Sequence, residues 1–103
     1  MDDAVYEIVL FELRPDVARA RYLQASTRAT DWLRTQPGFL SREILKDESG
    51  QWIELLRWAT LEDALAAASA IEETEHVAAI METVVPESIR MLHPQRVAAF
   101  STR

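Results

Sequence analysis

The chain has 103 residues, 49% of them apolar, and a net charge of −6, which suffices for one packed domain and not for two. An acidic balance without a basic stripe excludes a surface built for nucleic acid or an anionic membrane, and the absence of cysteine excludes disulfides, thiolate nucleophiles and cysteine-based metal sites. A cysteine-free chain suits the cytoplasm, its opening Met1-Asp2-Asp3 lacks the basic start of a signal peptide, and no apolar run approaches the roughly 20 residues that span a bilayer.

Val5 to Leu13, VYEIVLFEL, combine β-branched and aromatic residues and stop at Arg14-Pro15-Asp16, which predicts a first strand and then a helix capped by Asp16. That helix is expected to run to Gln36, with Ala18, Tyr22, Ala25, Ala29, Trp32 and Leu33 on its buried face. Pro37-Gly38 ends it, because proline disfavours the α conformation of its predecessor and glycine accepts positive φ.

Phe39 to Lys46 and QWIELLRW, Gln51 to Trp58, are expected to form a hairpin around Asp47-Glu48-Ser49-Gly50. Thr60 followed by Asp63 marks the next helix start, with Leu61, Ala64, Leu65, Ala68 and Ile71 as its buried stripe. Thr74 caps a second helical piece in which Val77, Ile80, Met81 and Val84 share a face before Pro86. Ser88 to Phe100 reads as a broken edge strand, since Pro94 removes a ladder donor.

The order β-α-β-β-α-β predicts an α+β, ferredoxin-like antiparallel sheet with its helices on one face, in a single domain over residues 1–103. Such a sandwich wets its other sheet face, so its strands should alternate apolar and polar residues. They do not. Trp52, Leu56 and Trp58 oppose Ile53 and Leu55 in the third strand, and Val5, Val9 and Phe11 oppose Tyr6, Ile8 and Leu10 in the first. Both faces need cover, and the economical cover is a second copy packed sheet to sheet in a two-fold homodimer.

This architecture, with QPGFLSREIL after the first helix and WATLEDALAAA opening the second, resembles the antibiotic biosynthesis monooxygenase-like family of dimeric α/β barrels. The matching motifs are a Pro-Gly before the second strand and a tryptophan closing the third, followed by a threonine-capped helix bearing acids. The resemblance implies a homodimeric barrel with a pocket between sheet and helices in each subunit. Some relatives oxygenate phenolic or quinol-like polyketides without metal or flavin, others degrade haem, and many have no known activity. The haem-degrading branch uses an asparagine, a tryptophan and a histidine. This chain has no asparagine, alanines such as Ala66 and Ala67 occupy the tryptophan's place, and only His76 falls near the histidine's, so haem degradation is disfavoured.

Inward-facing alanines and aromatics on the helices offer either close packing or a cavity for a flat apolar ligand. Glu7 and Glu54 lie among apolar neighbours on strands expected to be parallel and adjacent, where burial and mutual repulsion raise a carboxyl pKa and make a general base. The plain alternative pairs them with Arg42, Arg57 or Arg90 across the dimer seam. His76 and His93 are candidate proton shuttles or hydrogen-bonded structural histidines, with no HxH, HxxE or HExxH spacing for a metal. Trp58, Trp52, Tyr22 and Trp32 are candidate stacking surfaces for a planar substrate, as well as ordinary core residues.

The sequence thus points to a cytoplasmic homodimer binding a small aromatic or quinone-like metabolite. Glu7, Glu54 and His76 are the catalytic candidates, and Trp58, Trp52, Tyr22, Trp32 and His93 the substrate-binding ones. No metal, cofactor, nucleic acid or membrane is expected as a partner. Cofactor-independent oxygenation is the leading activity. A non-catalytic binding or assembly module, and an isomerase or cyclase using the same base, are the alternatives.

Overall fold

A computed structural model describes residues 4–102. In chain order these form β1 (Val5–Phe11), α1 (Arg19–Leu33), β2 (Phe39–Lys46), β3 (Trp52–Trp58), α2 (Leu61–Ile71), α3 (His76–Met81), a 3-10 turn at Pro86–Ser88 and β4 (Arg90–Leu92). The four strands make one sheet in the order β2-β3-β1-β4, with every neighbouring pair antiparallel. This is the α+β, ferredoxin-like arrangement that the sequence pattern predicts.

One expectation inside it is wrong. β1 and β3 are adjacent but antiparallel, with Glu7 opposite Leu56 and Val9 opposite Glu54. The crossover through α1 returns β2 parallel to β1, and the hairpin then reverses β3 before it inserts between them. Antiparallel pairing still leaves Glu7 and Glu54 on one face, as diagonal neighbours.

That face carries the core. Val5, Val9 and Phe11 of β1 and Trp52, Leu56 and Trp58 of β3 are buried, in two clusters. Phe11, Tyr22 and Trp52 meet ring to ring at 5.2–6.1 Å in the first, joined by Val9 and Val84. Leu33, Leu56, Trp58, Ala64 and Ala67 form the second. Helix residues therefore reach the strands from a single side.

The helix faces depart from expectation in detail. α1 begins at Arg19, so Ala18 is its extended, exposed N-cap, without a side-chain bond, and Asp16 caps nothing. Its buried face is Tyr22, Ala25, Ser26, Ala29 and Leu33, with Trp32 only half-buried. In α2, Thr60 accepts from the Asp63 amide at 3.0 Å as predicted. Ala64 and Ala67 are buried, but Leu61 and Leu65 are exposed, because residue 65 lies about 100° around the helix from residue 64. Thr74 accepts from the His76 amide at 3.1 Å at the start of α3.

Gly38 and Gly50 both adopt positive φ, at 79° and 96°, at the start and turn of the hairpin. β4 is short and exposed. The ladder breaks after Leu92 and resumes as a single bridge between Val5 and Gln95, with the Pro94 carbonyl accepting from the Tyr6 amide at 3.0 Å. Proline is tolerated there because its missing N–H falls on the sheet edge.

On the opposite sheet face Tyr6, Ile8, Leu10, Ile53 and Leu55 are only half-buried, and Leu45 and Leu92, opposite Ile53 and Ile8, are exposed. No helix of the described residues is long and apolar enough to cross a membrane.

Candidate functional site

Alanine is the reason for a void between sheet and helices. Ala29 on α1 and Ala67 and Ala68 on α2 line an open cavity of about 460 Å³, together with Ile71, Ile80 and Met81. Its volume is that of an ordinary small-molecule site. The helices supply mostly apolar groups, with Glu72 at the end of α2 the exception, and the sheet supplies three charged ones: Glu7 from β1, Arg42 from β2 and Glu54 from β3.

Glu54 is held in place by two donors. The Tyr22 hydroxyl donates to its Oε2 at 2.7 Å, and Arg42 Nη2 lies 3.0 Å from the same oxygen. Arg42 is itself anchored to α1, donating from Nη1 to Ser26 Oγ at 2.6 Å and to Thr30 Oγ1 at 2.7 Å. Its side chain is 4% exposed and that of Glu54 14%. Burial, reinforced by the Glu54 carboxylate, pushes the Tyr22 phenol well above its ordinary pKa, so Tyr22 stays a donor. A guanidinium and a phenol thus share one oxygen of this carboxylate. These contacts tie β3 and β2 to α1 at the cavity wall.

Glu7 differs in its environment. The Trp58 indole donates to its Oε1 at 3.0 Å, and His93 Nε2 stands 3.9 Å from that oxygen. Burial raises its pKa above the ordinary value, against the opposing pull of His93 and Trp58, and the nearby Glu54 adds to the rise. A buried carboxyl with raised basicity facing an apolar cavity has the properties of a general base.

The remaining sequence candidates are distributed more widely. Trp58 lines the cavity beside Glu7. Tyr22 and Trp52 lie in the aromatic cluster, with the Arg19 guanidinium 5.4 Å from the Trp52 ring centre. Trp32 stacks obliquely on His76 with ring centres 6.4 Å apart, and neither is among the cavity-lining residues. The structure therefore separates His76 from Glu7 and brings His93 to it instead.

Arg42 pairs with Glu54 inside the subunit, not across a seam, while Arg57 lies 5.9 Å from the Tyr6 ring centre on the other sheet face and Arg90 is exposed opposite Leu10. Ser26 and Thr30, the helix anchors of Arg42, gave no signal beyond their spacing of one helical turn. Among the described residues no group of three or more His, Asp or Glu could hold a metal ion.

No family model and no curated protein matches the chain. Solved structures do. SnoaB from Streptomyces nogalater, described as a cofactor-independent oxygenase, aligns over 97% of both chains with a TM-score of 0.73 and 17% identity. A Bordetella bronchiseptica protein named as a candidate antibiotic biosynthesis monooxygenase aligns over 93% of this chain and 99% of its own, with a TM-score of 0.80 and 14% identity. Rv0793 from Mycobacterium tuberculosis aligns over 95% and 99%, with a TM-score of 0.75 and 16% identity. The likeness suggested by the sequence motifs holds in three dimensions: the chain has the ferredoxin-like fold of the antibiotic biosynthesis monooxygenase structures.

Proposed function

We propose that the chain forms a homodimer through its outer sheet face and binds a small aromatic or quinone-like metabolite in the cavity of each subunit. There Glu7 removes a proton as the first step of a cofactor-independent oxygenation. The observation that carries this reading is a buried, basicity-raised carboxyl, oriented by an indole, at the wall of a mostly apolar cavity whose nearest other charges, Arg42 and Glu54, are paired with each other. The description of SnoaB as a cofactor-independent oxygenase supports the reaction class.

The chemistry balances without a separate reductant. Deprotonating a phenol or an acidic ring CH₂ gives an anion rich enough to pass an electron to O₂. Converting that CH₂ to a carbonyl takes up one oxygen atom and releases the other as water, with all four electrons coming from the substrate. The apolar wall excludes water from the anion, and Trp58 offers its ring to a planar substrate. A pure assembly module accounts for the outer face but not for the cavity. An isomerase using the same base differs in consuming no oxygen.

Native mass spectrometry of freshly purified protein, followed by addition of planar phenols and quinones, tests the binding claim. A dimer that carries or takes up one such molecule per subunit is expected. A bare monomer contradicts the dimer, and a dimer refusing the whole panel contradicts the ligand class.

A further inference from the structure

We propose that Glu7 and His93 form an acid–base dyad sharing one proton, with His93 as the end that exchanges it with solvent. The proposal deepens the reading of Glu7 as base and rests on it for its catalytic meaning.

The geometry comes from the sheet. β4 pairs antiparallel with β1 so that Leu10, Val9 and Ile8 face Arg90, Met91 and Leu92, and the next step along the chain sets His93 beside Glu7 on the cavity side. Nε2 of His93 is buried and has no hydrogen-bond partner among the described residues, yet it points at Glu7 Oε1 from 3.9 Å. A buried imidazole nitrogen without a partner is costly. Closing the gap by roughly 1 Å reaches ordinary hydrogen-bond distance.

The other groups leave this pairing open. The charged groups facing Glu7 besides His93 are Arg42 and Glu54, which neutralise one another at 3.0 Å, and Glu72 lines the same cavity from the C-cap of α2. Trp58 donates to Glu7 and accepts nothing. His93 is therefore the neighbour able to receive the Glu7 proton. The side chain of His93 is 20% exposed against 11% for Glu7, so the path runs outward. A proton taken by the carboxylate from substrate passes to the Nε2 lone pair, and the imidazolium releases one from Nδ1 to water. The bond made to Nε2 and the bond broken at Nδ1 leave the charge unchanged.

The test is a pair of NMR titrations on the full chain, following the Glu7 side-chain carboxyl by ¹³C and the His93 ring by ¹⁵N, and it needs no substrate. In the native protein each signal is expected to show two inflections at common pH values, as a shared proton requires. In Glu7→Gln the His93 midpoint should fall, and in His93→Gln the Glu7 midpoint should rise by the same amount, by reciprocity of linkage. Single, independent curves in the native protein overturn the dyad even if a variant fails to fold. Undiminished turnover by Glu7→Gln instead overturns the base assignment and leaves the dyad standing, so the two failures are distinguishable.

Discussion

Arg42 Nη2 and Glu54 Oε2 meet at 3.0 Å across β2 and β3, with the arginine side chain only 4% exposed. Ion pairs so deeply placed contribute little net stability but become costly when halved, because the survivor is a buried charge. Arg42→Met is expected to destabilise the fold by about 3–5 kcal/mol. Arg42→Met combined with Glu54→Leu should recover most of that loss. Urea denaturation of the single and double variants checks both numbers.

Tyr22→Phe removes the phenol bonded to Glu54 at 2.7 Å, together with its hydrogen bond to the Ser26 side chain. A hydrogen bond to a charged group is worth about 1.5–3 kcal/mol, and the variant should lose an amount in that range. A loss near zero, measured by the same denaturation, would show that Arg42 alone satisfies the carboxylate.

Burial raises the Glu7 pKa in the folded state above its ordinary value of 4.5, so the native protein binds this proton more tightly than the unfolded chain does. Glu7 therefore costs nothing below the unfolded value. Its cost grows as pH rises from there and is complete above the folded value. Glu7→Gln, which keeps an acceptor for Trp58, should gain stability relative to the native protein between about pH 4 and about pH 8. Chemical denaturation at both pH values measures the difference. A stability gap that does not change with pH contradicts the raised pKa.

Gly38 and Gly50 both hold positive φ, but a Cβ at Gly38 would collide with the Asp63 side chain, whereas one at Gly50 meets open space. Gly50→Ala should cost only the left-handed backbone penalty, about 1–2 kcal/mol. Gly38→Ala should cost more, since Asp63 sits in the first turn of α2 and must move. Thermal melts of the two variants order them directly.

The outer sheet face predicts a mutation with a purely quaternary effect. Leu55→Lys places a charge among Tyr6, Ile8 and Ile53, away from the cavity, and is expected to turn a dimer into a folded monomer. Analytical ultracentrifugation with circular dichroism separates this from unfolding.

Much of the fold was legible because strand parity is a local property. The alternating sets of β1 and β3 read off the sequence are those that face inward and outward, and the Thr60 cap and the Gly50 turn follow from their residue types. Phase within α2 was less legible. Leu61 and Leu65 look like core by hydrophobicity, but the alanines approach the sheet closely and take the inner face. The direction of β3 relative to β1 is not a local property: the crossover returns β2 parallel to β1 and the hairpin alone reverses β3. The site was only half visible. Glu7 and Glu54 stand out as acids in apolar strands, but nothing local shows that Arg42 and Tyr22 engage one of them. The contact between His93 and Glu7 depends on the register of a three-residue strand broken beside Pro94, where no hydrophobic pattern survives to set it.

The central claim is that Glu7 takes a proton from a ligand in the cavity. Oxygen uptake with a planar phenol or a ring compound bearing an acidic CH₂, compared between native protein and Glu7→Gln, tests it most directly. Loss of a positioned base should slow turnover by about 10²–10⁴-fold while ligand binding and dimer mass stay unchanged. Equal oxygen uptake by the two proteins would contradict the account.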